Sequence, residues 1–158
     1  MSSYSTRTTC RVCGGSDLTP LFSIGEQYVN DFPAEPNNAL PRCPIELELC
    51  NRCTLVQAKH TAPQDFLYTR MYWYRSGVTE TMRNALRDIT RRVEETVQLS
   101  DGDIVLDIGS NDGTLLRTYS NDELIRDAVE PARNLADMGR VGMDLFINEF
   151  WSAETYYN

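Results

Sequence analysis

The chain has 158 residues and a formal net charge of −8. That is room for one ordinary domain or two small ones. A sequence pI near 4.6 opposes unsteered binding to a phosphate backbone, which rests on Lys and Arg, so nucleic acid is not expected as a partner. Hydrophobic residues at 41% with 24% charged are a globular composition, and no apolar run approaches the roughly 20 residues of a membrane-spanning helix.

The first fifteen residues, MSSYSTRTTCRVCGG, have no apolar core of the secretory kind. The cysteines are therefore read against a reducing cytoplasm, and disulfides are the less expected use. Cys10 and Cys13 form one Cys-x-x-Cys pair, Cys50 and Cys53 a second. Each such turn puts two sulfurs on one side of a tight knuckle, and two knuckles complete the tetrahedral S₄ shell that Zn²⁺ prefers. Two disulfides, a redox pair or buried free thiols are the other uses of the same residues. A redox pair normally comes singly at the start of a helix after a strand, a setting that neither pair has. Zinc is the expected ion. Gly14 and Gly15 would turn backbone N–H groups toward the thiolates, and Arg11 and Arg52 would offset their charge. Cys43 and His60 are expected to stand outside the closed site, which would replace the core this short segment lacks.

Between the pairs, the residues lying between Gly25 and Pro44 include three prolines and no sustained period, and predict a long irregular loop. Ile45, Leu47 and Leu49 alternate with Glu46 and Glu48 as in a half-exposed strand running into Cys50. Residues 1 to 75 carry seven basic and seven acidic side chains and residues 76 to 158 eight and sixteen, so the charge shifts near residue 75. The expected organisation is a zinc-binding lobe over 1–66, a linker and helix over 67–100, and a third segment over 101–158.

From Val78, apolar residues recur at Met82, Ala85, Leu86, Ile89, Val93 and Val97, predicting an amphipathic helix with Ser76 as its cap. Ile104 to Ile108 is a nearly continuous apolar run, as in a buried parallel strand, and ends in Gly109. A helix over Gly113 to Tyr119, a strand over Asp127 to Glu130, a helix opened by Pro131 and closed by Gly139, and a strand over Asp144 to Asn148 complete a β-α-β-α-β order. That order predicts a parallel sheet with right-handed crossovers.

The glycines at 109 and 113 let a ligand approach the loop Gly109-Ser110-Asn111-Asp112-Gly113, and the following helix start offers free N–H groups. The loop lacks the G-x-G-x-x-G of a dinucleotide site. Asp107 just before it would repel a pyrophosphate and suits a cationic amino acid. Glu130, at the end of the next strand, can accept both hydroxyl hydrogens of a ribose. Asp107, Gly109, Ser110, Asn111, Gly113 and Glu130 are therefore the candidate cofactor residues.

In the segments CRVCG, LELCNRCTLVQ, YWYRSGVTETM, VLDIGSNDGTLL and VEPARNLA, in that order, the chain resembles the N-terminal portion of the zinc-containing sugar C-methyltransferases. The resemblance implies an α/β protein: a small zinc-binding lobe, a linker helix, then the first half of a Rossmann-like methyltransferase sheet that uses S-adenosylmethionine. It implies a nucleotide-linked 4-keto deoxysugar as substrate, a cytoplasmic location, and C-methylation by removal of the proton beside the ketone and attack of the enolate carbon on the sulfonium methyl. Tyr72 and Tyr74 match a family segment that reaches the sugar, and are the candidate catalytic residues. The family's histidine-bearing catalytic segment has no counterpart here, so the chain is expected to be a fragment, inactive alone and open to self-association through its incomplete sheet. The alternatives are a non-catalytic zinc-stabilised interaction module or another small-molecule methyltransferase. An RNA methyltransferase would need a basic face.

Overall fold

The computed structural model describes residues 4–29, 34–35 and 40–157. The chain forms two compact units, Met1–Leu67 and Tyr68–Asn158. In the first, strands β2 (Leu18–Tyr28), β3 (Arg42–Cys50) and β4 (Val56–Ala58) make an antiparallel sheet in the order β2-β3-β4, and β1 (Ser5–Thr6) pairs with β5 (His60–Thr61). The alternating Ile45–Leu49 segment is the predicted strand. The expected loop is corrected at both ends: β2 continues through Glu26, Gln27 and Tyr28, which pair with Pro44, Cys43 and Arg42. Irregular register between Ser23 and Glu26 lets it do so, with Gly25 at φ 71° supplying the kink. Part of the expected loop, residues 30–33 and 36–39, lies outside the described residues.

The second unit holds helix α1 (Glu80–Thr96), then parallel strands β6 (Ile104–Ile108), β7 (Ile125–Val129) and β8 (Leu145–Ile147) in the order β6-β7-β8. Short helices α2 (Ala136–Gly139) and α3 (Ala153–Tyr157) follow β7 and β8. This is the mixed α/β fold expected, with a parallel sheet as in the start of a Rossmann-like domain. Val105, Leu116, Leu124 and Ala128 form the core on one sheet face, with Leu99, Leu115, Tyr119, Met143 and Phe146 packed against them. On the other face Ile104, Leu106 and Ile108 are exposed at 57%, 38% and 54%, a bare surface where α/β sheets are usually covered. Helix α3 reaches that face at β7, where the Tyr156 hydroxyl donates to Asp127 Oδ2.

Helical extents differ from expectation for local reasons. The cap of α1 is Thr79, whose Oγ1 accepts from Met82 N, since the helix begins at Glu80 rather than just after Ser76. Helix α1 turns Met82, Leu86, Thr90 and Val93 inward and leaves Ile89 and Val97 exposed. Thr90 is fully buried, hydrogen-bonded to Thr118. The expected helix over Gly113 to Tyr119 shrinks to a 3₁₀ turn, Leu116–Thr118. Gly113 is at φ 75°, and Asp112 Oδ1 takes both the backbone and hydroxyl hydrogens of Thr114, so the first turn belongs to the loop. Pro131 does not open the next helix. A 3₁₀ turn, Arg133–Leu135, intervenes before α2, which does end at Gly139.

Candidate metal centre and cofactor cavity

The knuckles around the paired cysteines are built alike. Cys10 N donates to Gly15 O and Gly14 N to Cys10 O; Cys50 N donates to Leu55 O and Thr54 N to Cys50 O. Each turn closes on a residue four beyond its first cysteine in the left-handed region, Gly14 at φ 70° and Thr54 at φ 62°. The consequence is that the sulfurs of Cys10, Cys13, Cys50 and Cys53 all lie within 4.8 Å of one another. The Cys10–Cys53 and Cys13–Cys50 separations are 3.5 and 3.6 Å. Tetrahedral zinc with Zn–S bonds of about 2.3 Å needs sulfur–sulfur edges of about 3.8 Å, so the set fits the ion and closes its shell.

The thiol electrostatics point the same way. Backbone N–H groups of Cys13 and Val12 hold the Cys10 thiol down to about 6. Cys53 also receives a lowering hydrogen bond from the Leu55 backbone, yet the neighbouring Cys10, burial, and then Cys13 and Cys50 push it up to about 12. One thiolate forms readily and the last proton leaves with difficulty, so a cation is what lets all four ionise. The Arg11 guanidinium donates to Ala58 O and Thr61 Oγ1. His60 bridges Thr6 Oγ1 and Glu46 Oε2. Cys43 is buried outside the cluster, and burial raises its thiol pKa.

In the second unit, a cavity of about 400 Å³ opens at the C-terminal ends of β6 and β7. Of the candidate cofactor residues, Gly109, Asn111 and Glu130 line it, and so do Tyr72 and Tyr74. Gly109 is at φ 81°, and a Cβ there would meet no atom within 4 Å, so the backbone presents open space to a ligand. Glu130 is 5% exposed. Its Oε2 accepts from Asn111 N and its Oε1 from Ala132 N, both at 2.8 Å. Each oxygen keeps lone pairs for a further donor. Asp107, Ser110 and Gly113 are not on the cavity wall. Burial, then the charge of Glu130, raises the pKa of Asp107. Ser110 Oγ is buried with no hydrogen-bond partner, an orphan that a ligand or water would satisfy. Burial, then Tyr68, Glu130 and Tyr74, raises the Tyr72 phenol above its ordinary value.

The sequence reading missed Phe150 and Trp151, which bring aromatic rings to the same cavity from beyond β8. Asn111, a candidate cofactor residue on the cavity wall, also binds the segment before α1 with its side chain, a tie the sequence did not signal: Oδ1 accepts from Ser76 N and Nδ2 donates to Tyr74 O. No periodic pattern marks either feature.

Among known families, residues 10–68 match one described as "Putative zinc binding domain". The chain is similar to the C-methyltransferase NovU of Streptomyces niveus, 29% identical over 130 residues. Those residues are 80% of this chain and 31% of that protein, so the chain spans about a third of the relative's length. Both comparisons support the resemblance to the N-terminal region of a zinc-containing sugar C-methyltransferase, and the first agrees with zinc at the four thiols. No helix among the described residues is long and apolar enough to cross a membrane.

Proposed function

We propose that this chain is the N-terminal part of a cytoplasmic S-adenosylmethionine-dependent C-methyltransferase acting on a nucleotide-linked 4-keto deoxysugar. In this reading residues 1–66 are a structural zinc lobe, 67–100 a linker and helix, and the segment from 101 the start of the methyltransferase domain. The observation that carries it is one cavity lined by Gly109 and Asn111 of the glycine loop, Glu130 and three tyrosines, Tyr68, Tyr72 and Tyr74, at parallel strand ends, the place where such sheets take ligands.

When bound, S-adenosylmethionine supplies an electrophilic methyl on a cationic sulfur. The chain's own residues hold and orient. Glu130 would receive ribose hydroxyls on its free lone pairs while its backbone bonds keep Asn111 and Ala132 in place. Gly109 would admit the ligand to the backbone, with Ser110 and Gly113 shaping the turn, and Asp107 would set a negative field for the cationic amino acid. Tyr74 and Tyr72 face the methyl acceptor. With its phenol raised by burial, Tyr72 stays protonated near neutral pH and serves as a hydrogen-bond donor to the sugar rather than as a base. The only histidine, His60, is held by Thr6 and Glu46 in the zinc unit. These residues alone are therefore expected to transfer no methyl group.

Calorimetry of the zinc-loaded chain with S-adenosylhomocysteine tests the reading, with one site per chain expected. Absence of binding at millimolar ligand would count against it. Incubation with labelled S-adenosylmethionine and a panel of nucleotide-linked 4-keto sugars tests the expected inactivity. The exposed Ile104, Leu106 and Ile108 favour a second role for the same unit, association with another copy of the chain. Sedimentation equilibrium would detect it.

A further inference from the structure

Residues Tyr72 to Gly77 form no helix or strand, yet backbone N–H and C=O groups must find partners wherever they are shielded from water. Here the partners are side chains distant in sequence. Asn134 Oδ1 accepts from Tyr72 N at 2.9 Å and its Nδ2 donates to Tyr72 O at 3.0 Å. Asn111 donates to Tyr74 O at 3.0 Å and accepts from Ser76 N at 2.9 Å. Asp112 Oδ2 accepts from Gly77 N at 2.9 Å. Each primary amide offers one acceptor and two donors in a plane, so it can read a peptide edge as a neighbouring strand would. The approach is close: a Cβ on Gly77 would lie 2.5 Å from Thr114 Oγ1 and 2.8 Å from Asp112 Oδ2.

Asn111 and Asp112 belong to the glycine loop, and Asn134 to the turn after Glu130. The segment bearing Tyr72 and Tyr74, two of the three tyrosines that line the cavity, is thus tied at each end to the loops that frame the same cavity. We propose that Asn134 and Asn111 are positioning residues: their side-chain amides stand in for a missing strand and fix Tyr72 to Gly77 as a wall of the cavity. Ligand occupancy of the glycine loop and placement of Tyr72 and Tyr74 then depend on one another. The coupling rests on the methyltransferase reading above; the clamp itself does not.

Asn134 is exposed, so its replacement opens no core cavity. Residue-resolved amide exchange of the full zinc-loaded chain, with and without S-adenosylhomocysteine, is the test. In the parent, the Tyr72, Ser76 and Gly77 amides exchange slowly without ligand and more slowly with it. Asn134→Ala speeds exchange at Tyr72 by about tenfold, as loss of a hydrogen bond predicts, and weakens S-adenosylhomocysteine binding by about fivefold. Melting temperature and the β6 and β7 amides stay as in the parent, which a general structural role would not allow. Asn134→Asp, which keeps the acceptor and loses the donor, falls between parent and Ala. Unchanged Tyr72 exchange in Asn134→Ala overturns the clamp, and unchanged affinity with a freed segment overturns the coupling. If the parent binds no S-adenosylhomocysteine, the methyltransferase reading and the coupling fail together, while exchange without ligand still decides the clamp.

Discussion

Among the described residues, the first unit's buried apolar side chains are Cys10, Val29, Cys43 and Cys50, two of them metal-site thiols, whereas the second buries Val105, Leu116, Leu124, Ala128, Val129 and Leu135 among others. The long strand β2 is exposed along almost its whole length. One unit therefore relies on four sulfurs for what the other obtains from packing. Small modules with little core need such an external tie, and a metal supplies it through bonds the unfolded chain cannot make.

The sharpest way to break this comparison is to remove the ion. Chelation or Cys13→Ser should unfold the first unit, since structural zinc contributes on the order of 10 kcal/mol to folding in small metal modules. The amides of β6 and β7 should stay protected. Mass spectrometry of protein purified without added metal should find one zinc per chain, and amide exchange should show the loss confined to residues before Tyr68. Simultaneous loss in both units would end the distinction.

The converse is Leu116→Ala, which empties a position 1% exposed and should destabilise the second unit by about 2 to 5 kcal/mol. Zinc content should not change, and urea unfolding followed beside metal analysis would check both halves. A smaller effect is expected at the cavity. Glu130→Ala leaves Asn111 N and Ala132 N without their acceptor, and should weaken S-adenosylhomocysteine binding by about 1 to 3 kcal/mol in calorimetry. Equal affinity would remove Glu130 from the site.

Within the zinc unit the two knuckles make a finer comparison. Thr54 occupies the left-handed conformation that Gly14 takes in the other knuckle, an arrangement costly for a β-branched residue. Thr54→Gly should raise the first unit's unfolding free energy by about 1 kcal/mol, read as a higher chelator or denaturant midpoint.

The subtlest contrast lies between two aspartates near the glycine loop. Burial raises the Asp112 pKa, but hydrogen bonds from the Thr114 hydroxyl and from the Gly77 and Thr114 backbones outweigh it, and the net shift is downward. Its stabilisation is present above the unfolded-state pKa and is lost as pH falls through the depressed folded value. Asp107 is shifted upward, so its favourable contribution exists below the unfolded-state pKa and is lost as pH rises through the raised folded value. Asp112→Asn should flatten the acid limb of the stability curve of the second unit. Asp107→Asn should raise its melting temperature at neutral pH. Thermal melts between pH 3 and 7, roughly the span over which these carboxyls titrate, would show the opposite slopes.

Much of the molecule was legible wherever the chemistry is local. Two Cys-x-x-Cys pairs state their purpose within four residues each, and β6 announced itself by a compact apolar run, with β7 and β8 as short segments following it. Strand β2 was missed along its whole length because an exposed strand has no inward face and hence no period to read. The helix expected after Gly113 was overstated because Asp112 spends its carboxylate on Thr114 and Gly77, a choice that propensity does not encode.

What the sequence by itself determined was the ligand set for zinc, the three parallel strands β6, β7 and β8 and the place of the glycine loop, all carried by residue type and spacing along the chain. Only the tertiary structure decided that Asn111 and Asn134 grip the backbone of Tyr72 to Ser76, that Phe150 and Trp151 join the cavity, and that Thr79 rather than Ser76 caps α1. These depend on side chains meeting backbone groups far away in sequence, and a planar amide carries no sign in the sequence of which peptide edge it will pair with.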